Sequence, residues 1–300
     1  MEVEIEGVRK ARDIEYIHRM RVASRRLRSA LDVFTECIPE KKKEEWRARV
    51  KNLTQALGET RDTDVQILLL ESLYQNLPDI KYRTGMRRLL LRLHQRRTKL
   101  QTEVEAALDL LEKKKVLNQI RNKFTDVESQ NNESHRYSGE IYRLSFSSIS
   151  RRLDHFLSYE VYLHNPEYVK ELHQMRIAAK QLRYALEIFA PIYPDQLVES
   201  IKSARQTQQI LGEIHDCDVW LGFIPEFIQR EKDRIQHYLG HTRSLKLLQP
   251  GLDYFLQNRK EVRMQLFTDF QSTWQKWRKT ELWLNLRKDL LALLPPAVNQ

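Results

Sequence analysis

His18-Arg19-Met20-Arg21-Val22-Ala23-Ser24-Arg25-Arg26-Leu27-Arg28 returns as His173-Gln174-Met175-Arg176-Ile177-Ala178-Ala179-Lys180-Gln181-Leu182-Arg183. Each copy runs on to an apolar stretch ending in Phe34 or Phe189. A second phrase follows each: Leu57-Gly58-Glu59-Thr60-Arg61-Asp62-Thr63-Asp64-Val65 is answered by Leu211-Gly212-Glu213-Ile214-His215-Asp216-Cys217-Asp218-Val219. The offsets are 155 and 154 residues. Two phrases in the same order at the same spacing mark an internal duplication, so the expected fold is two similar halves in tandem.

The period inside the phrases is helical. At about 100° per residue, Met20, Ala23, Leu27, Ala30, Leu31 and Phe34 gather on one stripe, which predicts a helix over 13–35. Trp46, Val50, Leu53 and Leu57 predict a second over 41–57, with Gly58 as its end or as a close-packing point. Asp62 or Thr63 would cap a third helix that closes at Pro78, and 81–115 reads as one long helix or a bent pair. The second half repeats the pattern over 167–189, 195–211 and 216–239, preceded by a helix over 141–159. Helix is expected again over 245–294, with an interruption near Pro250-Gly251. No stretch reads as a strand. The fold expected is all-α: two tandem antiparallel helical bundles, pseudo-twofold related, over 1–124 and 140–300, joined by a polar linker at 125–139 and forming one domain together.

Composition agrees. Hydrophobic residues make 41 % and charged residues 31 % of 300, with 8 Gly and 9 Pro, a balance of long amphipathic helices rather than of sandwiches or disordered tails. Cys37 and Cys217 stand at non-equivalent places, which argues against a disulfide framework. The charged N-terminus lacks the apolar core of a signal peptide, and no apolar run approaches the roughly 20 residues of a membrane helix. A soluble, cytoplasmic protein is expected. Its 51 Lys+Arg against 41 Asp+Glu, a net +10, favours an anionic partner without choosing one.

Placement narrows the choice. With His18 at 0° on the wheel, Arg21, Arg25 and Arg28 fall at about 300°, 340° and 280°, far from an apolar stripe near 170°. His173, Arg176, Lys180 and Arg183 keep the same four angles, whereas the off-face Arg19 and Arg26 become Gln174 and Gln181. Lys51 and Arg205 are equivalent positions on the second helices, with Arg47, Arg49 and Lys202 nearby. Bases at i, i+3, i+7 and i+10 repel one another, so something anionic must offset them. Protein carboxylates are one candidate: Asp32, Glu187, Asp62, Asp64, Asp216 and Asp218. A ligand is the other, and one acid per lead helix cannot balance four bases. Arg grips phosphate oxygens with a planar fork, Lys adds a mobile charge, and His donates a hydrogen bond or serves structurally at the helix start.

His-x-x-Arg-x-x-x-[Arg/Lys]-x-x-Arg followed by Leu-Gly-Glu-x-x-Asp-x-Asp-Val, in tandem on a helical chain, resembles the CHAD family (conserved histidine α-helical domain) over residues 13–290. The resemblance implies two bundles whose basic faces converge on a central groove or channel, and it implies binding of inorganic polyphosphate. Carried over position by position, it nominates His18, Arg21, Arg25 and Arg28, His173, Arg176, Lys180 and Arg183, and also Lys51 and Arg205. Some members are fused to a triphosphatase domain of the CYTH type; no such β-rich segment reads here.

Three other chemistries compete. His215-Asp216 prompts a metal-dependent phosphohydrolase of the HD type, but its first-half counterpart is Arg61, a poor ligand, and no second His pair has suitable spacing. Asp62 and Asp64, like Asp216 and Asp218, lie two apart and would not point together on a helix; capping and pairing with lead-helix arginines suit them better. No phosphate-cradling glycine loop is present. Nucleic acid remains the alternative partner on charge, although no aromatic platform interleaves the basic face, and Trp274, Trp277 and Trp283 read as core or as an inter-helix contact. The expectation is therefore a non-enzymatic polyphosphate-binding module, without cofactor or metal, cytoplasmic and associated with polyphosphate granules.

Overall fold

The computed structural model describes residues 1–11, 13–128, 139–193 and 195–294. Every regular element among them is helical, so the all-α class holds. The helices are α1 (Ile5–Lys10), α2 (Ile14–Val33), α3 (Glu40–Gln75), α4 (Arg83–Lys113), α5 (Val116–Glu128), α6 (Gly139–Leu157), α7 (Val169–Phe189), α8 (Val198–Leu239), α9 (Leu245–Lys279) and α10 (Leu282–Ala292). None is long and apolar enough to cross a membrane. The expected 125–139 linker lies largely outside the described residues, and its first four positions end α5.

Two compact units share these helices. The first holds α1 to α5 and Lys246–Leu252; the second holds α6 to α8, α9 from Asp253 onward, and α10. In the first, α2 starts at Asp13, whose carboxylate accepts the Glu15 amide at 2.8 Å, an ordinary N-cap. Ile17, Met20 and Leu31 of α2 pack with Trp46, Val50, Leu53 and Leu57 of α3 and with Val104 and Leu108 of α4 in one apolar cluster. Short α1 is tied to α4 by Arg9, which meets Asp109 and Glu112 at 2.6 Å each.

One expectation fails here. The second and third helices of the first half are a single 36-residue helix, α3, which passes through Gly58 without a break. The counterpart α8 runs 42 residues through Gly212 and Pro225. An interior glycine costs about 1 kcal/mol relative to alanine. Leu53 and Leu57 before it and Thr60, Thr63, Ile67 and Leu70 after it are all buried along one uninterrupted face, and that burial outweighs the loss. Asp62 and Asp64 therefore sit inside a helix and cap nothing. Similarly, α9 continues through Pro250, and the break falls at Thr280–Glu281, where Glu281 adopts φ 51°.

The start of α9 meets the start of α4 backbone to backbone. A Cβ on Gly85 would lie 2.2 Å from the Leu248 carbonyl oxygen, and one on Gly251 would lie 2.1 Å from that of Tyr82. Only hydrogen fits at either position.

In the second unit, Phe156 of α6 packs edge-on against Trp274 of α9 and Trp283 of α10, at 5.4 and 5.3 Å between centroids. Trp220 of α8 meets Phe255 of α9 at 4.8 Å. Trp274 and Trp283 are thus core, and half-buried Trp277 packs against both where α9 meets α10.

Candidate functional site

The second phrase is the seat of the first. In the first unit, Arg21 of α2 lies over Gly58 of α3, so that a Cβ there would be 3.9 Å from the arginine Nε. One turn along α3, the Asp62 carboxylate stands 2.9 Å from Arg21 Nη2. In the second unit, Arg176 of α7 lies over Gly212 of α8, with the corresponding distance 3.5 Å. The glycine does not end its helix, and a Cβ there would meet its arginine only at ordinary van der Waals distance; Asp62 pairs with the lead helix. Because the helices run antiparallel, the register that sets Arg21 beside Gly58 brings Arg28 level with Lys51. The same register in the second unit brings Arg183 level with Arg205. The nominated bases of each unit therefore line one two-helix surface.

Their partners differ between units. Arg25 and Arg28 are half-buried and Lys51 is exposed; no hydrogen bond or ion pair among the described residues holds them. Asp32, one of the acids available to offset this row, turns instead to Arg47 at 2.5 Å. Off the face, Arg19 pairs with Glu4 and stacks on Tyr16. In the second unit Glu187 does engage the row: it accepts from Arg183 at 2.8 Å and from Arg205 at 3.4 Å. Arg183 also donates to Gln208 at 3.0 Å and lies over the Tyr184 ring.

The two lead histidines have different neighbours. His18 is half-buried near Arg61, whose guanidinium is 3.6 Å from Glu15. Burial, then the Arg61 charge, holds the His18 pKa below the ordinary imidazole range; Arg21 and Arg19 add to this and Glu15 opposes it. His173 instead faces His215, Nδ1 to Nδ1 at 3.1 Å, with ring centroids 4.2 Å apart. One Nδ1 must donate and the other accept, so at least one ring is the Nδ1–H tautomer. Burial, Arg176 and Lys180 lower the His173 pKa, against Asp218; burial, Arg176 and His173 push His215 down to about 4. Both rings are neutral hydrogen-bonding groups at neutral pH.

The last acid of the second phrase has a separate task. Asp64 of α3 takes Arg97 of α4 at 2.6 Å, and Asp218 of α8 takes Arg263 of α9 at 2.5 Å. Arg263 also donates to the Pro166 carbonyl at 2.7 Å. Asp64 is only 4 % exposed, and burial raises the pKa of both carboxyls despite their arginines. Asp62 and Asp64 thus point to different helices, as their two-residue spacing requires. No group of three or more His, Cys, Asp or Glu converges among the described residues.

Three features escaped the sequence reading: the arginines opposite Asp64 and Asp218, the His173–His215 pair, and the charge of α4. The last had a plain signal. From Lys81 to Lys99 there are eight Lys or Arg and no Asp or Glu. The others had none, because each joins helices tens of residues apart.

The sequence model of the CHAD domain matches residues 1–225, a span that contains all ten nominated residues. A crystal structure of the CHAD domain from the plant Ricinus communis is similar in fold over 97 % of this chain and 87 % of that one, with a TM-score of 0.57 and 21 % identity. No match was found among curated proteins.

Proposed function

Since the chain belongs to the CHAD domain family, we propose that it is a binding module for inorganic polyphosphate that acts through the basic faces of α2–α3 and α7–α8 and carries out no chemistry of its own. One observation supports this above the others: Arg25, Arg28 and Lys51 share a surface, yet no acid among the described residues meets them. Like charges at these spacings cost stability unless a counter-charge arrives, and a chain of phosphates supplies one at every unit.

The shape of the surface favours phosphate over a base edge. Arg21 and Arg176 lie over their glycines, and their planar guanidinium groups suit the forked, bidentate grip of phosphate oxygens. The neutral imidazoles of His18 and His173 add hydrogen bonds without adding repulsion. In the second unit Glu187 holds Arg183 and Arg205 in place, so ligand oxygens there compete with a carboxylate. In the first unit the same competition falls on Arg21, through Asp62, and leaves Arg25, Arg28 and Lys51 clear of carboxylates among the described residues. The cytoplasm, alongside polyphosphate granules, is where such a module would act.

Titration calorimetry with long polyphosphate, tripolyphosphate and duplex DNA at matched salt tests the proposal. Affinity should rise with chain length, since neighbouring phosphates bind at high effective concentration, and should fall steeply with salt as counterions are released. DNA binding as tight as polyphosphate binding would overturn the assignment, and phosphate release from polyphosphate on adding a divalent metal would overturn its non-enzymatic character.

A further inference from the structure

The two lead helices are covered unequally. In the second unit α6 packs on α7 and on α10 and buries its own Ser145, Ser148, Ile149 and Leu153. On α7, Ala178, Leu182 and Ala185 are fully buried. Their counterparts on α2, 155 residues earlier, are Ala23, Leu27 and Ala30, and all three are only half-buried. Short α1 and the turn before it lie against the first turns of α2, where Gly7 meets the Tyr16 ring and Glu4 pairs with Arg19.

Helix α5 shows the same asymmetry against α10. An offset of 166 residues relates the two. It matches Arg97 with Arg263, which bind equivalent aspartates. It also matches Lys115 with Glu281, the left-handed residues that precede α5 and α10, at φ 49° and 51°. At that offset Leu117, Ile120 and Phe124 answer Trp283, Leu286 and Leu290, yet Phe124 is 37 % exposed and Leu290 0 %. Arg121 answers Arg287; Arg287 pairs with Asp154 of α6, and Arg121 pairs with Glu2. Glu2 therefore stands where Asp154 does. Beyond it, where the 15 residues of α6 before Asp154 lie in the second unit, the first unit has an apolar groove of about 310 Å³ between α2 and α5. Ala23, Leu27, Leu117 and Ile120 line it, with Met1 and Glu2 at one end.

We propose that this groove is the docking site for an acidic amphipathic helix of a partner protein, about four turns long, which lies on α2 and α5 as α6 lies on α7 and α10. Helix α6 supplies the template: small side chains, Ser145 and Ser148, face the lead helix, and Ile149 and Leu153 follow at helical spacing, the pattern of helix-in-groove recognition. The charge of the partner follows from the rim. Arg19 and Arg26, two turns apart, edge the apolar stripe of α2, and Arg121 edges that of α5. On α7 the rim positions are Gln174 and Gln181, under an α6 that carries Arg143 and Arg151 on its exposed side. The residues at the near end of the groove already show the match, Glu4 to Arg19 and Glu2 to Arg121. The proposal does not rest on the polyphosphate reading. The row of Arg21, Arg25 and Arg28 lies about 170° away around α2, so both faces can be engaged at once.

The test uses two labelled synthetic peptides against the full chain, read by fluorescence anisotropy. One has the sequence of α6, residues 139–157; the other carries Arg143→Glu and Arg151→Glu. Ordering a free peptide into a helix costs part of its interaction energy, so micromolar affinity is expected for the acidic peptide, at least fivefold tighter than for the α6 sequence. Phe124→Glu, an exposed position, should weaken that binding at least tenfold with the melting temperature unchanged. Arg19→Gln/Arg26→Gln, which installs the residues of the second copy, should abolish the preference for the acidic peptide. No binding of either peptide, binding that Phe124→Glu leaves unaltered, or a preference for the α6 sequence would overturn the proposal. Sedimentation of the chain alone is the remaining arm: a monomer is expected, and a dimer that Phe124→Glu dissociates would assign the groove to a second copy and overturn the partner helix.

Discussion

Gly58 of α3 lies beneath Arg21 of α2, whose Nε is 3.9 Å from where a Cβ would be. Gly212 and Arg176 repeat the arrangement at 3.5 Å. Both distances are ordinary van der Waals contact, so alanine fits without moving the arginine. Gly212→Ala should raise stability by up to about 1 kcal/mol, the helix-propensity gain of an interior alanine, with polyphosphate affinity unchanged. Gly212→Leu should displace Arg176 and weaken binding severalfold. Urea unfolding and calorimetry on the two variants check this, and an affinity loss with alanine would contradict the packing described.

Gly85 and Gly251 behave in the opposite way. A Cβ at either falls 2.1–2.2 Å from a backbone carbonyl oxygen, and backbone cannot step aside as a side-chain tip can. Gly85→Ala or Gly251→Ala should each cost about 2 kcal/mol or more, lowering the denaturant midpoint without changing the slope. The contrast with Gly212→Ala is itself the check, since all three are glycine-to-alanine changes within helices.

Asp64 with Arg97 and Asp218 with Arg263 are buried ion pairs. Such pairs add little net stability, but removing one partner strands the other. Asp218→Ala should destabilise by about 3 kcal/mol, and adding Arg263→Met should recover much of that loss. A double variant no better than Asp218→Ala alone would show that the arginine contributes chiefly through its bond to the Pro166 carbonyl.

The His173–His215 pair makes stability pH-dependent in a known direction. The His215 pKa is depressed in the folded protein to about 4, below the roughly 6.5 of an unfolded histidine. Between those values the unfolded chain binds more protons, so this contribution grows as pH rises from about 4 to about 6.5 and is lost as pH falls. The site is partly open to water, and screening brings the effect to about 1 kcal/mol. Asp64 and Asp218, with raised pKa values, slope the other way; the difference between the unaltered protein and His215→Gln isolates the histidine. Thermal melts of both from pH 4 to 7 should converge at the acid end once the pair is protonated.

Much of this was legible in the sequence. The two phrases carried the helical period of α2 and α7, the off-face position of Arg19, and the placement of Lys51 and Arg205 at equivalent points of α3 and α8. Gly58 was ambiguous because a helix-interior glycine looks like a helix end until its tertiary neighbour, Arg21, is known. The choice of Arg97 by Asp64, 33 residues away, and of Arg263 by Asp218, 45 away, depends on which helices become neighbours, and local periodicity does not encode that. Glu187 and Asp32 occupy equivalent positions, yet one engages the basic row and the other leaves it. Side-chain competition decided that, with Arg47 present in one half and absent from the other.

The central claim is that the bases facing away from the core bind phosphate chains rather than stabilise the bundle. Polyphosphate affinity measured for Arg25→Glu and Lys180→Glu, together with each variant's melting temperature, tests it most directly. A loss of at least tenfold, about 1.4 kcal/mol or more, with melting within about 2 °C of the unaltered protein is the predicted result. Unchanged affinity accompanied by a clearly lowered melting temperature would contradict the claim and make these bases structural.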